Sequence, residues 1–260
     1  MEAVRRSAKY RHVNEATVRA VGRRELEAGR SWKGAIKATK NRLHQIAGAY
    51  RTEKPRYQAW LAELATAARQ GDAALRAACA AVMRHHASTQ ERLPLLETFY
   101  AVTLEGLPPI RSVLDVACGL NPLAAAWMPL AADARYSACD LYTDLAAFLN
   151  AFFRLAGMNG RAWACDLLTA PPDTEADLAL VLKTLPLLER VDRNAPLRLL
   201  RAVRAPWMLV SYPVHSLGGR RDRGMQRNYE RRFRELIAGE GWAVERFSFE
   251  TELVFRVRKG

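Results

Sequence analysis

Residues 112–122 read SVLDVACGLNP, and few stretches constrain a fold more tightly. The run Val113-Leu114-Asp115-Val116-Ala117 is apolar but for one carboxylate, the pattern of a strand covered by helices on both faces of a parallel sheet. It stops at a turn that keeps a single glycine, Gly119. Pro122 then stands where the first turn of a helix begins, a position at which its missing N–H costs nothing. A strand, a tight turn and a helix N-terminus in succession form a small-ligand site in α/β proteins.

The sequence around this unit alternates in the same way. After Pro108-Pro109, strands are predicted near 112–117, 135–140, 161–166, 177–183, 207–213, 243–249 and 252–258, with helices near 122–132, 143–157, 189–203 and 225–239. The last two strands are only a few residues apart and should form an antiparallel hairpin. Residues 1–107 show no strand signal. Asn14 can cap a helix to about Ala28 and Ser31 the next. In that second helix Trp32, Ile36, Leu43, Ile46 and Tyr50 form an apolar stripe, with Lys33, Lys37, Lys40 and Arg42 mainly off it. An Ala-rich pair from Tyr57 to Val82 breaks around Gly71. Ser88 and Glu91 then have the spacing of a capping box opening a helix through Leu96 and Tyr100, which Pro94 should bend slightly. A helical extension, 1–107, and an α/β domain, 108–260, are therefore expected.

At 260 residues the chain can bury a full core without staples. Cys79, Cys118, Cys139 and Cys165 stand apart in apolar surroundings, with no CxxC pair and no histidine at metal spacing, so reduced buried thiols and no metal are expected. The N-terminus lacks an apolar signal core, and no apolar run approaches the roughly 18 residues of a membrane span. A cytoplasmic protein is the expectation.

In an open parallel sheet the ligand lies beyond the carboxyl ends of the strands. Asp115 sits inside the first strand of the sheet, Asp140 ends the second and Asp166 the third. Each alone reads as a turn or capping residue. As an ordered set they suit an adenosine, with one carboxylate on the ribose hydroxyls and the next near the adenine. A dinucleotide would need GxGxxG, and CGLNPLA lacks the second and third glycines; no Walker loop exists. A nucleoside without phosphates fits better. S-adenosylmethionine meets this description, its methionyl tail lying across the Gly119 turn and its carboxylate on an arginine, for which Arg92 is the candidate.

Charge points to the other substrate. Lys and Arg number 40 against 27 Asp and Glu, a net +13. Such a field attracts polyanions, and arginine suits phosphate and guanine edges. A merely solvated surface is the alternative. Anionic lipid is a weaker one, since the basic helices lack aromatic apolar faces.

Several segments, taken in order, resemble one family: RLHQIAGAY (42–50), HASTQERL (86–93), LDVACGLNPLA (114–124), CDLY (139–142), LVLKTLPLLE (180–189), YPVHSLGGR (212–220), GMQRNY (224–229) and TELVFRV (251–257). The chain is similar through nearly its whole length to the aminoglycoside-resistance 16S ribosomal RNA methyltransferases of the guanine(1405)-N7 class. That resemblance implies a Rossmann-like class I methyltransferase with a seven-stranded, mostly parallel sheet, and a helical extension that docks on the assembled 30S subunit. It implies methylation of guanine N7 with S-adenosylmethionine, conferring resistance to 4,6-disubstituted deoxystreptamines such as gentamicin and kanamycin. Cofactor contacts carry over to His86, Ala87, Ser88 and Arg92 at the methionyl end and to Ala117 and Gly119 along the turn. Asp140 takes the ribose, Asp166 and Leu167 the adenine, and Leu182 the wall beside the sulfonium. The sequence departs from the pattern in Pro94 and in the arginine-rich GGRRDRGMQR.

Guanine N7 carries a lone pair and no proton at neutral pH, so transfer asks for alignment more than for a general base. Lys183 and the loop 213–224 are the candidates for positioning the nucleotide. Arg220, Arg221, Arg223 and Arg227, with Lys33, Lys37, Lys40 and Arg42, are the candidate phosphate contacts. His215 beside that loop reads as structural, and nothing in the sequence asks for more than a monomer. A methyltransferase acting on a small molecule would keep the aspartates without needing the charge, and one acting on another RNA is the further alternative. A non-enzymatic RNA-binding module would keep the charge without the aspartates. This chain has both.

Overall fold

The computed structural model describes residues 2–47, 54–214 and 223–260. Among the described residues seven α-helices come first: α1 (Glu2–Arg5), α2 (Glu15–Glu27), α3 (Trp32–Ala47), α4 (Tyr57–Ala68), α5 (Asp72–Met83), α6 (Ala87–Arg92) and α7 (Leu96–Thr103). The α/β part follows with β1 (Ile110–Val116), β2 (Leu130–Asp140), α8 (Thr143–Leu155), β3 (Gly160–Ala164) and β4 (Leu178–Leu182). It is completed by α9 (Leu185–Glu189), α10 (Ala195–Ala202), β5 (Trp207–Pro213), α11 (Arg223–Ile237), β6 (Ala243–Ser248) and β7 (Glu252–Arg258).

The seven strands form one sheet in the order β3-β2-β1-β4-β5-β7-β6. The first five pair in parallel, while β7 inserts antiparallel between β5 and β6, which gives the expected hairpin at the sheet edge. Strand order reverses between β1 and β4, so their carboxyl ends diverge around a crevice. β4, LALVL, is buried at every position because helices cover both faces. Six residues of α8 are buried, Phe148, Phe152 and Phe153 among them. The Phe153 ring lies where a Cβ on Gly160 would stand, 2.4 Å from the ring, so only glycine lets α8 approach the start of β3 so closely. Asn150 secures the same contact, donating to the carbonyl of Ala162 at 2.7 Å and accepting from its N–H at 2.9 Å.

Several predicted elements change shape, each for a local reason. The helix expected over 122–132 is a short 3₁₀ segment, Asn121–Trp127. Met128 precedes Pro129 and is extended, which stops the helix and allows β2 to begin at Leu130. The helix expected over 189–203 shortens to α10, which starts with Pro196 in its first turn, and a separate helix, α9, ends at Glu189. Pro94 does more than bend its helix: a 3₁₀ turn, Leu93–Leu95, separates α6 from α7. The capping box is absent. His86, extended at φ −133°, precedes α6, which places Ser88 inside the first turn. The caps at Asn14 and Ser31 form, accepting from Thr17 and Gly34 N–H at 3.2 Å each.

Trp32 also departs from expectation. It is 59% exposed, and the buried line of α3 runs instead through Ala35, Thr39 and Leu43. Tyr50, the last residue of the predicted stripe, lies outside the described residues.

The helices before β1 share one continuous hydrophobic core with the sheet, in which Trp60, Leu64, Val82 and Phe99 pack together with strand and α8 residues. All four cysteines are free and buried there. Among the described residues no helix is long and apolar enough to cross a membrane.

Candidate active site

A cavity opens where β1, β2 and β4 end, and the chain is strained around it. Ala117, just past β1, has φ +52°, and Lys183, just past β4, has φ +55°. Left-handed backbone costs a side-chain-bearing residue about 1–3 kcal/mol and marks a position that its surroundings over-determine. Gly119 shares this conformation at φ +52°, and a Cβ there would lie 2.7 Å from Cε1 of His86. The space spared by the glycine is thus filled by an imidazole from the helical region rather than left open for a ligand. The cavity is lined by His86, Ser88, Arg92, Ala117, Asp140, Asp166, Leu167, Leu182 and Lys183, nine of the positions singled out in the sequence. Ala87 and Gly119 do not line it.

Three carboxylates face this space with different commitments. Asp140 fixes the turn, Oδ2 accepting from Gly119 N–H at 2.9 Å and Oδ1 from Leu141 N–H at 2.6 Å. Asp166 lies two residues beyond β3, 3% exposed, and accepts from Leu168 N–H and Thr17 Oγ1 at 3.1 Å each and from the Thr169 hydroxyl. Asp115 is 1% exposed, accepting from Tyr136 Oη at 2.7 Å and Asn121 Nδ2 at 2.8 Å. Burial pushes its pKa up to about 7, against the pull of those two hydrogen bonds and of Arg92.

Arg92 is fully buried, inside a polar network. Its Nε and Nη2 donate to Glu252 at 3.0 and 2.7 Å, and Nη1 donates to Asn121 Oδ1 at 2.8 Å. Tyr100 Oη donates to the same Asn121 oxygen at 2.7 Å. Glu252 also accepts from the Ser211 hydroxyl. Burial opposes its ionisation, but Arg92 and Lys183 beside it outweigh that and hold its carboxyl below the ordinary range. Lys183 is likewise fully buried, with Nζ donating to Glu91 at 2.6 Å and lying 3.6 Å from Glu252. Its ammonium is braced by carboxylates within the cavity wall, not displayed on the surface as a lone positioning cation.

The N-terminal helices roof the cavity. Asn14 N–H donates to the carbonyl of Leu141 at 2.8 Å, its side chain to that of Ala164 at 3.2 Å, and Val13 bridges to Tyr142. Thr17, Tyr57 and Trp60 join the lining from the helical side. Sequence reasoning missed Glu252, Asn121 and Thr17. A signal existed for Glu252, a lone carboxylate opening the apolar strand ELVFRV. None existed for Thr17, 149 residues from its partner.

The candidate RNA contacts are scattered. Lys33 and Lys37 are exposed and Lys40 is half-buried, while Arg42 is occupied, donating to the carbonyl of Arg190 at 3.0 Å and lying 3.5 Å from Glu25. Arg223 opens α11 and Arg227 is exposed on it. Arg220, Arg221, His215 and most of the 213–224 loop lie outside the described residues.

A switch-point cavity edged by acidic groups at successive strand ends is shared by many α/β proteins, and the family is decided by similarity along the chain. The family model for ribosomal RNA methyltransferase (FmrO) matches residues 6–256. The chain belongs to the FmrO ribosomal RNA methyltransferase family. A relative from Frankia casuarinae, a 16S rRNA (guanine(1405)-N(7))-methyltransferase, is 41% identical over 99% of this chain and 92% of its own length. The 16S rRNA methylase RmtB superposes with a TM-score of 0.83 at 32% identity, covering 100% of this chain and 96% of RmtB. RmtF, solved with S-adenosyl-L-homocysteine, gives a TM-score of 0.82 at 35% identity, covering 100% and 98%. The chain is therefore a Rossmann-like methyltransferase, as the sequence implied.

Proposed function

We propose that this chain transfers a methyl group from S-adenosylmethionine to N7 of guanine 1405 of 16S rRNA, and so protects bacteria from 4,6-disubstituted deoxystreptamine aminoglycosides. The single observation that carries the reading is similarity along almost the entire chain to enzymes named for that reaction, 41% over 99% of its residues in one case. The cavity fits the donor chemically. Asp140 and Asp166 keep lone pairs for ribose hydroxyls and an exocyclic amine beyond the hydrogen bonds they already accept. Leu167 and Leu182 add apolar surface to the lining. Arg92 spends one hydrogen on each terminal nitrogen within the protein, which leaves a second on each for a carboxylate. His86, Ala87 and Ser88, ahead of Arg92, and the Ala117–Gly119 turn complete the methionyl end of this reading.

When bound, the cofactor supplies an electrophilic methyl on sulfur: guanine N7 donates its lone pair to that carbon as the carbon–sulfur bond breaks. No group has to accept a proton. The protein holds donor and acceptor in line and excludes water. Lys183, steadied by Glu91, brings positive charge to the wall beside Leu182, where the oxygen of a guanine would be held. The target base must leave its stack to reach the cavity. Lys33, Lys37 and Lys40 of α3, and Arg220, Arg221, Arg223 and Arg227, are the proposed phosphate contacts. The helices before residue 108 serve as the docking region, the enzyme acts as a cytoplasmic monomer, and its substrate is the assembled 30S subunit.

The test is labelled methyl transfer to purified 30S subunits, followed by borohydride and aniline cleavage and primer extension. A single stop at guanine 1405 is expected. A stop elsewhere, or incorporation into protein-free 16S rRNA at an equal rate, would overturn the target or the substrate form respectively.

A further inference from the structure

We infer that Asp192, which lies outside the cavity, is a positioning residue for methyl transfer: it ties the loop after β3, proposed to face the adenine, to the segment after β4, proposed to face the transferred methyl. The inference rests on the reading of the cavity as the S-adenosylmethionine site of an rRNA methyltransferase, and it assigns a part in the reaction to a residue that touches neither substrate. Leu167 and Leu168 of the first segment and Leu187 and Leu188 of the second all line the cavity, whereas Asp192 does not.

Both oxygens of Asp192 accept hydrogen bonds, and the donors come from distant parts of the chain. Oδ1 accepts from the N–H of Asn194 at 3.0 Å, a local turn that leads into α10. Oδ2 accepts from two guanidinium groups: Nη2 of Arg24, in the last turn of α2, at 2.7 Å, and Nη2 of Arg198, on α10, at 2.8 Å. The turn needs Oδ1 alone. The second oxygen gathers cations from two separate helices onto a side chain that is only 14% exposed, where charge-assisted bonds are stronger than in open solvent. Burial opposes ionisation of Asp192, but the hydrogen bonds from Arg24, Asn194 and Arg198 outweigh it and lower its pKa to about 2. The carboxylate is therefore charged throughout the neutral range.

Each arginine carries the tie onward. Nη2 of Arg198 also donates to the carbonyl of Leu168 at 2.9 Å, so one nitrogen joins Asp192 to the loop that holds Asp166 and Leu167. Nη1 of Arg24 donates to the carbonyl of Val191 at 3.4 Å. On the side of β4, the N–H groups of Val191 and Asp192 both donate to the carbonyl of Leu188 at 2.9 Å, which closes the chain against the end of α9. The neighbouring residues are gripped as well, Glu189 by Arg232 of α11 and the carbonyl of Arg190 by Arg42 of α3 at 3.0 Å. At its other end this segment begins with Lys183, held at φ +55°. The stretch from Lys183 to Asp192 is thus anchored at both ends, and its middle forms part of the cavity lining.

Transfer in line, with no general base to help it, depends on geometry, and a displacement of about 1 Å can cost roughly a hundredfold in rate. A carboxylate that joins two lining segments fixes their relative position from outside the site. Its loss lets one segment shift against the other while the proposed donor contacts at Asp140 and Arg92 keep their own partners.

The experiment separates rate from binding. Asp192→Asn keeps the size of the side chain and an acceptor for the Asn194 N–H, and removes the charge. Its kcat on 30S subunits should fall roughly tenfold or more, while KM for 30S and the dissociation constant of S-adenosylhomocysteine stay within about threefold of the parent. Arg24→Gln and Arg198→Gln should each lose part of the rate. Neither should lower the rate of Asp192→Asn much further, because all three substitutions cut the same tie. Amide hydrogen exchange in Asp192→Asn should quicken at 167–170 and at 185–191 together.

A residue that merely capped α10 would loosen 192–196 alone and leave kcat at the parental value below the melting transition. Full kcat in Asp192→Asn, additive losses with the two arginine variants, or faster exchange confined to 192–196 would overturn the proposal. So would a fall in cofactor affinity that matches the fall in rate, since the effect would then lie in binding. The parent enzyme separates the two levels: if it leaves guanine 1405 unmodified, the functional reading falls and this inference with it, whereas an active parent with an indifferent Asp192→Asn removes the inference alone.

Discussion

The hydroxyl of Thr17 donates to the buried carboxylate of Asp166 at 3.1 Å, across 149 residues of sequence. One partner belongs to the first long helix and the other to the loop proposed to face the adenine. The helices before β1 therefore form part of the proposed cofactor site. Asn14 strengthens the same junction through the carbonyls of Leu141 and Ala164. Linkage then requires that whatever binds the N-terminal helices can change cofactor affinity, and the reverse.

Thr17→Val keeps the shape of the side chain and removes the donor. Losing one hydrogen bond to a buried carboxylate costs about 1–3 kcal/mol. The prediction is a rise of roughly tenfold in the dissociation constant for S-adenosylmethionine by calorimetry, about 1.4 kcal/mol, with Thr17→Ser restoring most of it. Parent-like affinity in Thr17→Val would show that Asp166 is held well enough by Leu168 and Thr169.

Gly119→Ala probes the turn on β1. The new Cβ would meet the His86 ring at 2.7 Å and would be held at φ +52°, so clash and backbone strain add. Cofactor affinity should fall more than tenfold and the melting temperature by several degrees. Combining it with His86→Ala removes the clash but not the strain, so part of the stability loss should return. A double variant no better than the sum of the two single losses would mean that His86 does not occupy this space in solution.

Glu252→Gln tests the buried network. It removes the negative charge shared by Arg92 and Lys183 while conserving size. Breaking a buried pair from one side costs about 3–5 kcal/mol, because the remaining charge stays desolvated. The melting temperature should drop by well over five degrees, with a loss of cofactor affinity if Arg92 turns from the methionyl end. A stable variant with normal affinity would show that Glu91 suffices to balance Lys183 and that Asn121 alone orients Arg92.

Much of this molecule was legible before its coordinates. The alternation after Pro109, the single-glycine turn and the aspartates at strand ends placed the sheet and one cavity, because apolar runs and turn residues are local signals. What local signals could not give was partnership. Arg92 read as a cation awaiting a carboxylate, and it has one from this chain in Glu252, on the last strand. Ser88 and Glu91 had capping-box spacing, yet tertiary contacts won: Glu91 reaches Lys183, and His86 takes the cap position. Trp32 fitted the helical period of α3, but that helix packs along the smaller residues Ala35 and Thr39, and a sequence period cannot tell which edge of a stripe meets the core.

The pH dependence of stability provides a last prediction, through Asp115. Its folded pKa is raised to about 7 by burial, whereas in the unfolded chain it titrates near 3.8. Between those values the folded state holds a proton that the unfolded state has released, so this group's contribution to stability is full below about pH 4 and declines as pH rises toward 7. Glu252 acts in the opposite sense: its lowered pKa adds stability above its ordinary range, lost as pH falls through the folded value. The two are separated by comparing the parent with Asp115→Asn, which leaves Glu252 in place. Asparagine can still accept from Tyr136 or Asn121, and it does not titrate. Denaturant unfolding measured from pH 5 to pH 8 should show the parent losing stability relative to the variant as pH rises, with the difference levelling off above about 7. A difference that stays constant across that range would mean that Asp115 is ionised throughout and that Arg92, rather than a bound proton, balances its charge.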